Sequence, residues 1–232
     1  MPRGRRQERE REAVRRAILD AARHLFVERG YRNVSIRGIA ERIDYSAAAI
    51  YSYFPSKDAI FFALAAEGFG LLNAALDRIV TAGEGDPLDQ LRHGFFAYYE
   101  FSKSNPEYFG LMFVDRTVPR LSDHWDRGDF VHTAFEKAAT GIQRCIEGGW
   151  FPAGTDVHAV FHILWAAVHG VAAIGLCNLF APGEDPDALA RDTLAAALDG
   201  ISHGVTTTFI GADYRTLCCA QPPSSGEPDD TH

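Results

Sequence analysis

Three histidines and a tryptophan repeat at helical spacing in the C-terminal half of the chain, and imidazole can bind either metal ions or small polar groups. One narrow stripe of a helix holds His158, His162, Trp165 and His169. His158 and His162 have the i, i+4 spacing of a metal pair, which leaves open a small α-helical metal-binding protein or enzyme. His169 lies about 16 Å beyond His158 at about 1.5 Å per residue, so the three histidines cannot share one ion. We therefore expect no metal, and interpret the stripe as the wall of a cavity, with satisfied core or interface histidines as the alternative.

Aromatic side chains are dense between residues 95 and 113. Their number exceeds what a single helix can bury against one neighbouring helix. Such a surplus suits a large apolar pocket, although ordinary core packing would also use it. We expect a cavity for a mostly apolar or aromatic small molecule, whose one polar group bonds His162 or His169. The residues expected to line it are Phe96, Tyr99, Phe109, Met112, His162, Trp165 and His169.

Two short helices with a tight joint precede these elements. Ser35 and Ser46 are typical N-cap residues, and each begins a short stretch of helical periodicity. The second stretch must end before Pro55, and the joint between the two is Asp44-Tyr45. A second helix this short is typical of a helix-turn-helix, in which it enters the major groove of DNA.

The stretch AILDAARHLFVERGYRNVSIRGIAERIDYSAAAIYSYFPSKDAIFFAL resembles the TetR family of transcriptional regulators, and the match extends over about residues 12–72. The matching positions are Gly30, Tyr31, Ser35, Ile39, Ala40, Ser46, Ile50, Tyr51, Tyr53, Phe54, Lys57 and Ile60. The segment ILWAAVHGVAAIG also resembles the Trp…His-Gly class of C-terminal domain in that family. The resemblance implies a helical ligand-binding and dimerisation domain, and a homodimer formed through the last two helices.

Phosphate contacts are also implied by the resemblance. The positions concerned are Ser35, Tyr51, Tyr53 and Lys57, and hydroxyl groups and lysine are usual phosphate ligands. One departure from the family pattern is Asp44, which stands where glycine is usual. Aspartate tolerates a left-handed backbone better than most residues, so the turn can survive with some strain.

The expected recognition helix is the second departure, because it begins with three alanines. Ala47 to Ala49 offer no hydrogen-bond donors and can only contact thymine methyl groups or allow close approach of the backbone. We include Ala47 and Ala49 in the DNA interface for that reason. Base readout then depends on few groups, which we expect to be Arg37, Ser46, Tyr51 and Ser52.

Charge is segregated along the chain. Residues 1–60 hold 13 Lys and Arg against 8 Asp and Glu, whereas the remaining residues hold 10 against 23. A basic head on an acidic body predicts a polyanionic partner for the head alone. The arm before the first helix begins with Arg3, Arg5 and Arg6, which either enter a minor groove of DNA or form a solvated, disordered start.

One long uncharged segment tests whether the protein is soluble. No Asp, Glu, Lys or Arg occurs between Asp156 and Glu184, and such a run is a transmembrane candidate. Its histidines and small residues, without a flanking basic cluster, favour a helix buried in an α-bundle or dimer interface. The polar N-terminus predicts no signal peptide, and four cysteines without a disulfide framework indicate a reducing compartment. We expect a cytoplasmic protein with no membrane partner.

Two apolar stripes near the C-terminus predict a dimer seam, which two-fold symmetry would double into four helices. The first stripe consists of Val160, Ile163, Ala167, Val171 and Ile174. The second consists of Ala190, Leu194, Ala197, Leu198, Ile201 and Val205.

The whole chain is ordinary in composition, with 47% hydrophobic and 23% charged residues, which excludes wholesale disorder and a disulfide-stapled miniprotein. Helical periodicity and the lack of alternating strand patterns predict an all-α fold. We expect a DNA-binding domain over 12–72 with the helix-turn-helix at about 35–54, a ligand-binding and dimerisation domain over 73–215, and a disordered tail over 216–232. No nucleophile with a base and no Gly-rich phosphate loop is visible, so we expect neither an enzyme nor a cofactor. The predicted function is a sequence-specific transcriptional repressor, released from a palindromic double-stranded DNA operator by a small-molecule inducer.

Overall fold

A computed structural model describes residues 2–83, 85–119 and 129–204 of the protein, together with Phe209. Regular structure within these residues is entirely helical and includes no strand. The predicted all-α fold class is therefore confirmed. The tail over 216–232 lies outside the described residues, and the domain boundaries stay predictions.

The N-terminal head is built from short helices packed on two long ones. Its elements are α1 (Pro2–Arg29), a 3-10 turn (Tyr31–Asn33), α2 (Ile36–Arg42), α3 (Ala47–Tyr51) and the first turns of α4 (Lys57–Ala82). The buried side chains that hold them together are Ile18, Ala22, Leu25 and Phe26 of α1, Ile39 of α2, Ile50 of α3, and Ile60, Phe61 and Leu64 of α4. Each helix contributes a stripe at i, i+3 and i+4 spacing, so the helical periodicity of the sequence is what closes this core.

Helix α1 begins at Pro2 and therefore includes the arginine arm, which the sequence analysis placed before the first helix. Arginine, glutamate and glutamine are good helix formers, and the arm contains little else. Arg6 pairs with Glu10 at 2.8 Å and Arg15 with Glu12 at 3.6 Å, and pairs at this spacing stabilise a helix. The arm is consequently a rigid continuation of a helix whose C-terminal half is buried in the head.

The C-terminal body is a helical bundle around α5. Its elements are the rest of α4, α5 (Pro87–Ser104), α6 (Pro106–Phe109) running into a π-helical turn (Gly110–Val114), α7 (Asp129–Glu147), α8 (Val157–Leu176) and α9 (Pro186–Ser202). Helix α5 packs against α4, α7, α8 and α9. The carboxylates of Asp86, Asp156 and Asp185 cap α5, α8 and α9 by accepting backbone N–H groups of the first turn.

By length and composition alone, α4 and α8 could each cross a membrane. The fold gives both helices protein neighbours, because α4 packs on α1, α5 and α7, and α8 packs on α5, α7 and α9. Leu164 and Val168 of α8 have no exposed surface. A core helix surrounded by other helices has this apolar composition.

The structure corrects the residues predicted for the dimer seam. Ala190, Leu194, Leu198 and Ile201 of α9 are at most 7% exposed within the protomer, because α9 turns this stripe toward α5 and α8. A second subunit cannot reach them. Val160 and Val171 of α8 are buried in the same way, and Val205 lies outside the described residues.

Candidate nucleic-acid interface and ligand cavity

Two serine caps set the geometry of the helix-turn-helix. The Ser35 hydroxyl accepts the Gly38 N–H at 3.1 Å, and the Ser46 hydroxyl accepts the Ala49 N–H at 3.1 Å. Each cap uses the oxygen as an acceptor, so the O–H is left to donate outward. Between the two helices Asp44 adopts a left-handed backbone with φ 58°, the conformation expected where the family pattern has glycine.

Helix α3 presents a small uncharged face. Ile50 anchors it in the core, whereas Tyr51 is 55% exposed. Ser52 is exposed and its hydroxyl donates to the Ala49 carbonyl at 2.7 Å. Hydroxyl and methyl groups are therefore what this helix offers to a groove, with no charge.

The exposed alanine on α3 is Ala48, and the two alanines that the sequence analysis included, Ala47 and Ala49, are half-buried. Tyr45 was not among the predicted DNA contacts, and it is 44% exposed beside the recognition helix. Its position in the joint of the motif was the signal that could have identified it. Arg37 is exposed, as a readout role requires, but its guanidinium is paired with Glu41 at 2.9 Å.

Lys57 points into the head and ties α4 to the chain before α2. Its ammonium donates to the carbonyl oxygens of Tyr31 at 2.8 Å and Val34 at 2.9 Å, and lies 4.1 Å from the centre of the Tyr31 ring. The Tyr31 hydroxyl in turn donates to Asp58. Partial burial lowers the pKa of Lys57. The lysine is thus engaged in an internal network, and its contact with phosphate stays a prediction.

A cavity of about 530 Å³ lies between α4, α5, α7 and α8. It exists because α7 turns small residues toward the interior, namely Ala134, Ala138 and Gly141, where larger side chains would fill the space. Its aromatic walls are Phe69, Phe95, Tyr98, Phe113, Phe135, Phe161 and Trp165. A mostly apolar space of this size is typical of a small-molecule site.

Two cationic side chains stand at the edge of this cavity, and both are engaged. Lys137 pairs with Asp77 at 2.7 Å, and Arg144 donates to the Gln90 side chain at 2.9 Å. The polar groups at the edge thus already bond one another around an apolar interior.

A close contact connects the cavity to the head. Met112 and Tyr108 pack directly against Gly68 of α4, where an added methyl group would overlap Met112 and stand 3.2 Å from the Tyr108 ring. The Tyr108 hydroxyl accepts a hydrogen bond from Arg23 of α1 at 2.9 Å, and Arg23 also pairs with Glu107 at 2.9 Å. Helix α6 and the π-helical turn after it (Pro106–Val114), together called the α6 segment, therefore contact both long helices of the head.

Comparisons with known proteins assign both halves of the chain. Residues 18–64 match bacterial regulatory proteins of the tetR family, and residues 91–197 match a tetracyclin repressor-like C-terminal domain. The chain belongs to the TetR family. The family predicted from the sequence is thereby confirmed.

Curated relatives of this TetR-family chain match less than half of its length. The HTH-type transcriptional repressor Rv1474c of Mycobacterium tuberculosis is 44% identical over 66 residues, which cover 28% of this chain and 35% of that protein. The HTH-type transcriptional repressor KstR of Mycolicibacterium smegmatis is 36% identical over 77 residues, which cover 33% and 37%. The chain thus spans about a third of the length of these relatives.

Solved structures match over most of their length. A protein of unknown function from Rhodococcus sp. RHA1 has a TM-score of 0.68 at 23% identity and covers 82% of this chain and 95% of its own. FadR from Bacillus subtilis, solved in complex with stearoyl-CoA, has a TM-score of 0.68 at 17% identity and covers 80% and 98%. At these identities the likeness establishes a shared fold.

Of the seven pocket residues predicted for this TetR-family protein, only Trp165 lines the cavity. On α5 the cavity is lined by Phe95 and Tyr98, each of which lies one position before the residue that we expected, Phe96 or Tyr99. The Tyr99 hydroxyl instead donates to Asp187 of α9 at 2.7 Å. Residues of α4 and α7 also line the cavity and were not among those predicted, although the small residues of α7 were a visible signal.

The other four predicted residues lie behind or beside the cavity wall. Phe109 is fully buried, and Met112 occupies the Gly68 contact. His169 shares a 2.9 Å hydrogen bond with the Tyr98 hydroxyl, and burial lowers the pKa of this histidine. His162 donates through Nδ1 to the His158 carbonyl at 2.7 Å.

The metal-binding alternative finds little support here. His158 stacks on the Phe135 ring with a centroid distance of 5.4 Å. Among the described residues, no group of three or more His, Cys, Asp or Glu could hold a metal ion.

Lys57→Met keeps an unbranched side chain but removes its two carbonyl contacts, and we expect it to destabilise the head. Loss of charge-assisted hydrogen bonds at a partly exposed site should lower the free energy of unfolding by about 1–2 kcal/mol. Urea unfolding followed by circular dichroism measures this. Arg42→Met is the control, since Arg42 is exposed and has no ion pair among the described residues. Equal stability of both variants and the wild type would contradict the internal role.

Proposed function

We propose that this protein is a transcriptional repressor that binds operator DNA as a homodimer and leaves it when a small apolar molecule fills the cavity. The observation that carries the proposal is the combination of a helix-turn-helix with an apolar cavity, connected through the α6 segment. Relatives named as transcriptional repressors support the same reading. A regulator that binds operator DNA in this way would act in the cytoplasm.

The proposed DNA contacts divide into positioning and readout. Hydroxyl groups of Ser35, Tyr51 and Tyr53 hold phosphates, because the serine caps leave an O–H free to donate. Ala47 and Ala49 let the backbone of α3 approach the bases and contact thymine methyl groups. The remaining readout groups are Arg37, Ser46, Tyr51 and Ser52.

The proposed ligand is uncharged over most of its surface and apolar or aromatic, in keeping with the cavity walls. The stearoyl-CoA complex of FadR, which shares the fold, supports a body able to hold a long apolar group. Polar atoms of the ligand would bond groups at the edge, such as Gln90 and Thr140, in place of the histidines first considered.

Release from DNA requires two states of the dimer. Recognition helices about 34–36 Å apart fit successive major grooves, and a ligand that favours another spacing shifts the population away from DNA. Phe69 and Phe113 face the cavity with ring centroids 5.6 Å apart, and each directly follows a residue of the Gly68–Met112 contact. A ligand that separates these rings would therefore move the α6 segment, which contains Phe113, relative to α1 and α4.

The proposed dimer uses the outer faces of α8 and α9. The outer stripe of α8 holds Ile163, Ala167, Gly170 and Ile174, and that of α9 holds Leu189, Thr193, Ala196 and Gly200. All eight are exposed or half-buried in the protomer. A methyl group added at Gly170 would meet nothing within 4 Å, so this face has room for a partner helix.

Selection of bound fragments from random DNA should yield a palindrome, because each subunit presents one half-site. Tyr51→Phe, which removes only the exposed hydroxyl, should weaken binding of the dimer to that sequence about 25-fold, as expected for one hydrogen bond of about 1 kcal/mol lost in each subunit. Electrophoretic mobility shifts measure the affinity, and thermal unfolding should stay unchanged. A consensus without two-fold symmetry would contradict the dimer on DNA.

Ala196→Arg should split the dimer, since it places an unpaired charge in the proposed seam. Ala195→Arg is the matched control, because Ala195 is exposed on a different face of α9. Sedimentation velocity should find the first variant monomeric at concentrations where the second stays dimeric. A seam elsewhere is indicated if both remain dimers.

Ala138→Leu should fill part of the cavity from α7 and weaken ligand binding about tenfold, or about 1.4 kcal/mol, because the added atoms occupy space that the ligand needs. Ala139→Leu makes the same change next to the cavity wall, at a residue that does not line it. The fluorescence of added 1-anilinonaphthalene-8-sulfonate measures binding, and both variants should keep operator affinity. Undiminished dye binding by Ala138→Leu would reject this cavity as the ligand site.

A further inference from the structure

The positive charge of the head is concentrated in the first four turns of α1. Residues 2–16 contain seven arginines against three glutamates, whereas residues 17–60 contain six Lys and Arg against five Asp and Glu. The helix-turn-helix by itself is therefore almost neutral. Because affinity for DNA depends largely on neutralising phosphates, the main electrostatic contribution must come from outside the motif.

Cations within the motif are also mostly engaged. Arg37 is paired with Glu41, and Lys57, which follows the motif at the start of α4, donates to two carbonyl groups. Among the described residues of the motif, only Arg42 is a cation without an ion pair. The motif thus offers few free charges to a phosphate backbone.

Helix α1 offers such charges next to the recognition helix. Residues 5–13 are exposed, and the Arg11 guanidinium lies 5.7 Å from the centre of the Tyr53 ring. Arg11 makes no ion pair within the described residues, so its N–H donors are available to a ligand. The contact with the Tyr53 ring helps to keep the guanidinium in position. Together with Gln7 and Ser52 it borders a groove between α1 and the C-terminal end of α3.

The groove also contains an acid, Glu10, but this carboxylate is paired with Arg6 at 2.8 Å. The acidic group is therefore neutralised by a residue on the same helix. Arg11 remains the uncompensated charge of the groove.

We propose that the N-terminal turns of α1 form a second DNA surface, in which Arg11, supported by Tyr53, holds a phosphate outside the half-site read by α3. This inference rests on the proposed function. It replaces the minor-groove arm considered from the sequence, because an α-helix about 10–12 Å wide cannot enter a minor groove about 6 Å wide. The basic helix lies along the backbone of the flanking DNA instead.

The reach of this surface follows from helix geometry. Residues 2–13 span about 18 Å at about 1.5 Å per residue, which corresponds to about five base pairs at about 3.4 Å each. Flanking DNA of that length on each side of the palindrome should therefore contribute to affinity. DNA without these flanks should not contact Arg11.

The test compares Arg11→Gln with Arg6→Gln on two duplexes, the selected palindrome with ten-base-pair flanks and the same palindrome without flanks. Both variants lose one positive charge from α1, but the Arg6 side chain is 83% exposed and already paired with Glu10. On the flanked duplex, Arg11→Gln should reduce the slope of log K against log salt concentration by about one per subunit, and Arg6→Gln by less. Without flanks, the wild type and Arg11→Gln should bind equally.

Two results would overturn the inference. One is an unchanged salt slope of Arg11→Gln on the flanked duplex, and the other is an equal loss on both duplexes, which would place Arg11 inside the half-site. Failure of the wild type to select any DNA would reject the proposed function as well. Thermal unfolding of both variants should match the wild type, since both side chains are exposed.

Discussion

Tyr108 and Met112 can pack against the backbone of α4 only because residue 68 is a glycine. This close approach brings the Tyr108 hydroxyl within 2.9 Å of Arg23, so α1 of the head and α6 of the body meet at the same point on α4. The adjoining residues Phe69 and Phe113 turn the opposite way and form part of the cavity wall. The relative position of head and cavity therefore depends on a contact that any larger side chain at residue 68 would displace. Packed interfaces of this kind have discrete arrangements, which suits the two states of the proposed switch.

The cavity depends on residues that lack bulk. Ala134, Ala138 and Gly141 of α7 leave a space that protein cores normally fill, and aromatic rings from α4, α5 and α8 keep the space open. Rings are stiff and large, so they can bridge across a void without collapsing into it. A bundle that leaves 530 Å³ unfilled gives up dispersion contacts, and a bound ligand would restore them.

The proposed DNA contacts separate affinity from readout in the head. The recognition helix carries methyl and hydroxyl groups and no charge, whereas the arginines stand on the exposed half of α1. Phosphate contacts position a protein on DNA and base contacts select the sequence, so the two tasks need not share residues. The acidic body is compatible with DNA binding, since the arginine-rich surface is confined to one end of the molecule.

The sequence alone determined the family, the all-α fold and the helix-turn-helix, because caps and helical periodicity are local. Ser35 and Ser46 cap as their residue types require, and Asp44 takes the left-handed backbone that the turn needs. Which face of a helix meets which neighbour was decided only by the tertiary structure. Residues 95–99 of α5 are an uninterrupted aromatic and apolar run, so the sequence could not tell whether Tyr98 or Tyr99 faces the cavity. Helix α9 buried within the protomer the stripe expected to meet a partner. Lys57 likewise has a side chain suited to phosphate, and only the fold brings two carbonyl oxygens within 3 Å of it. Such choices depend on contacts between residues distant in sequence, which no local pattern encodes.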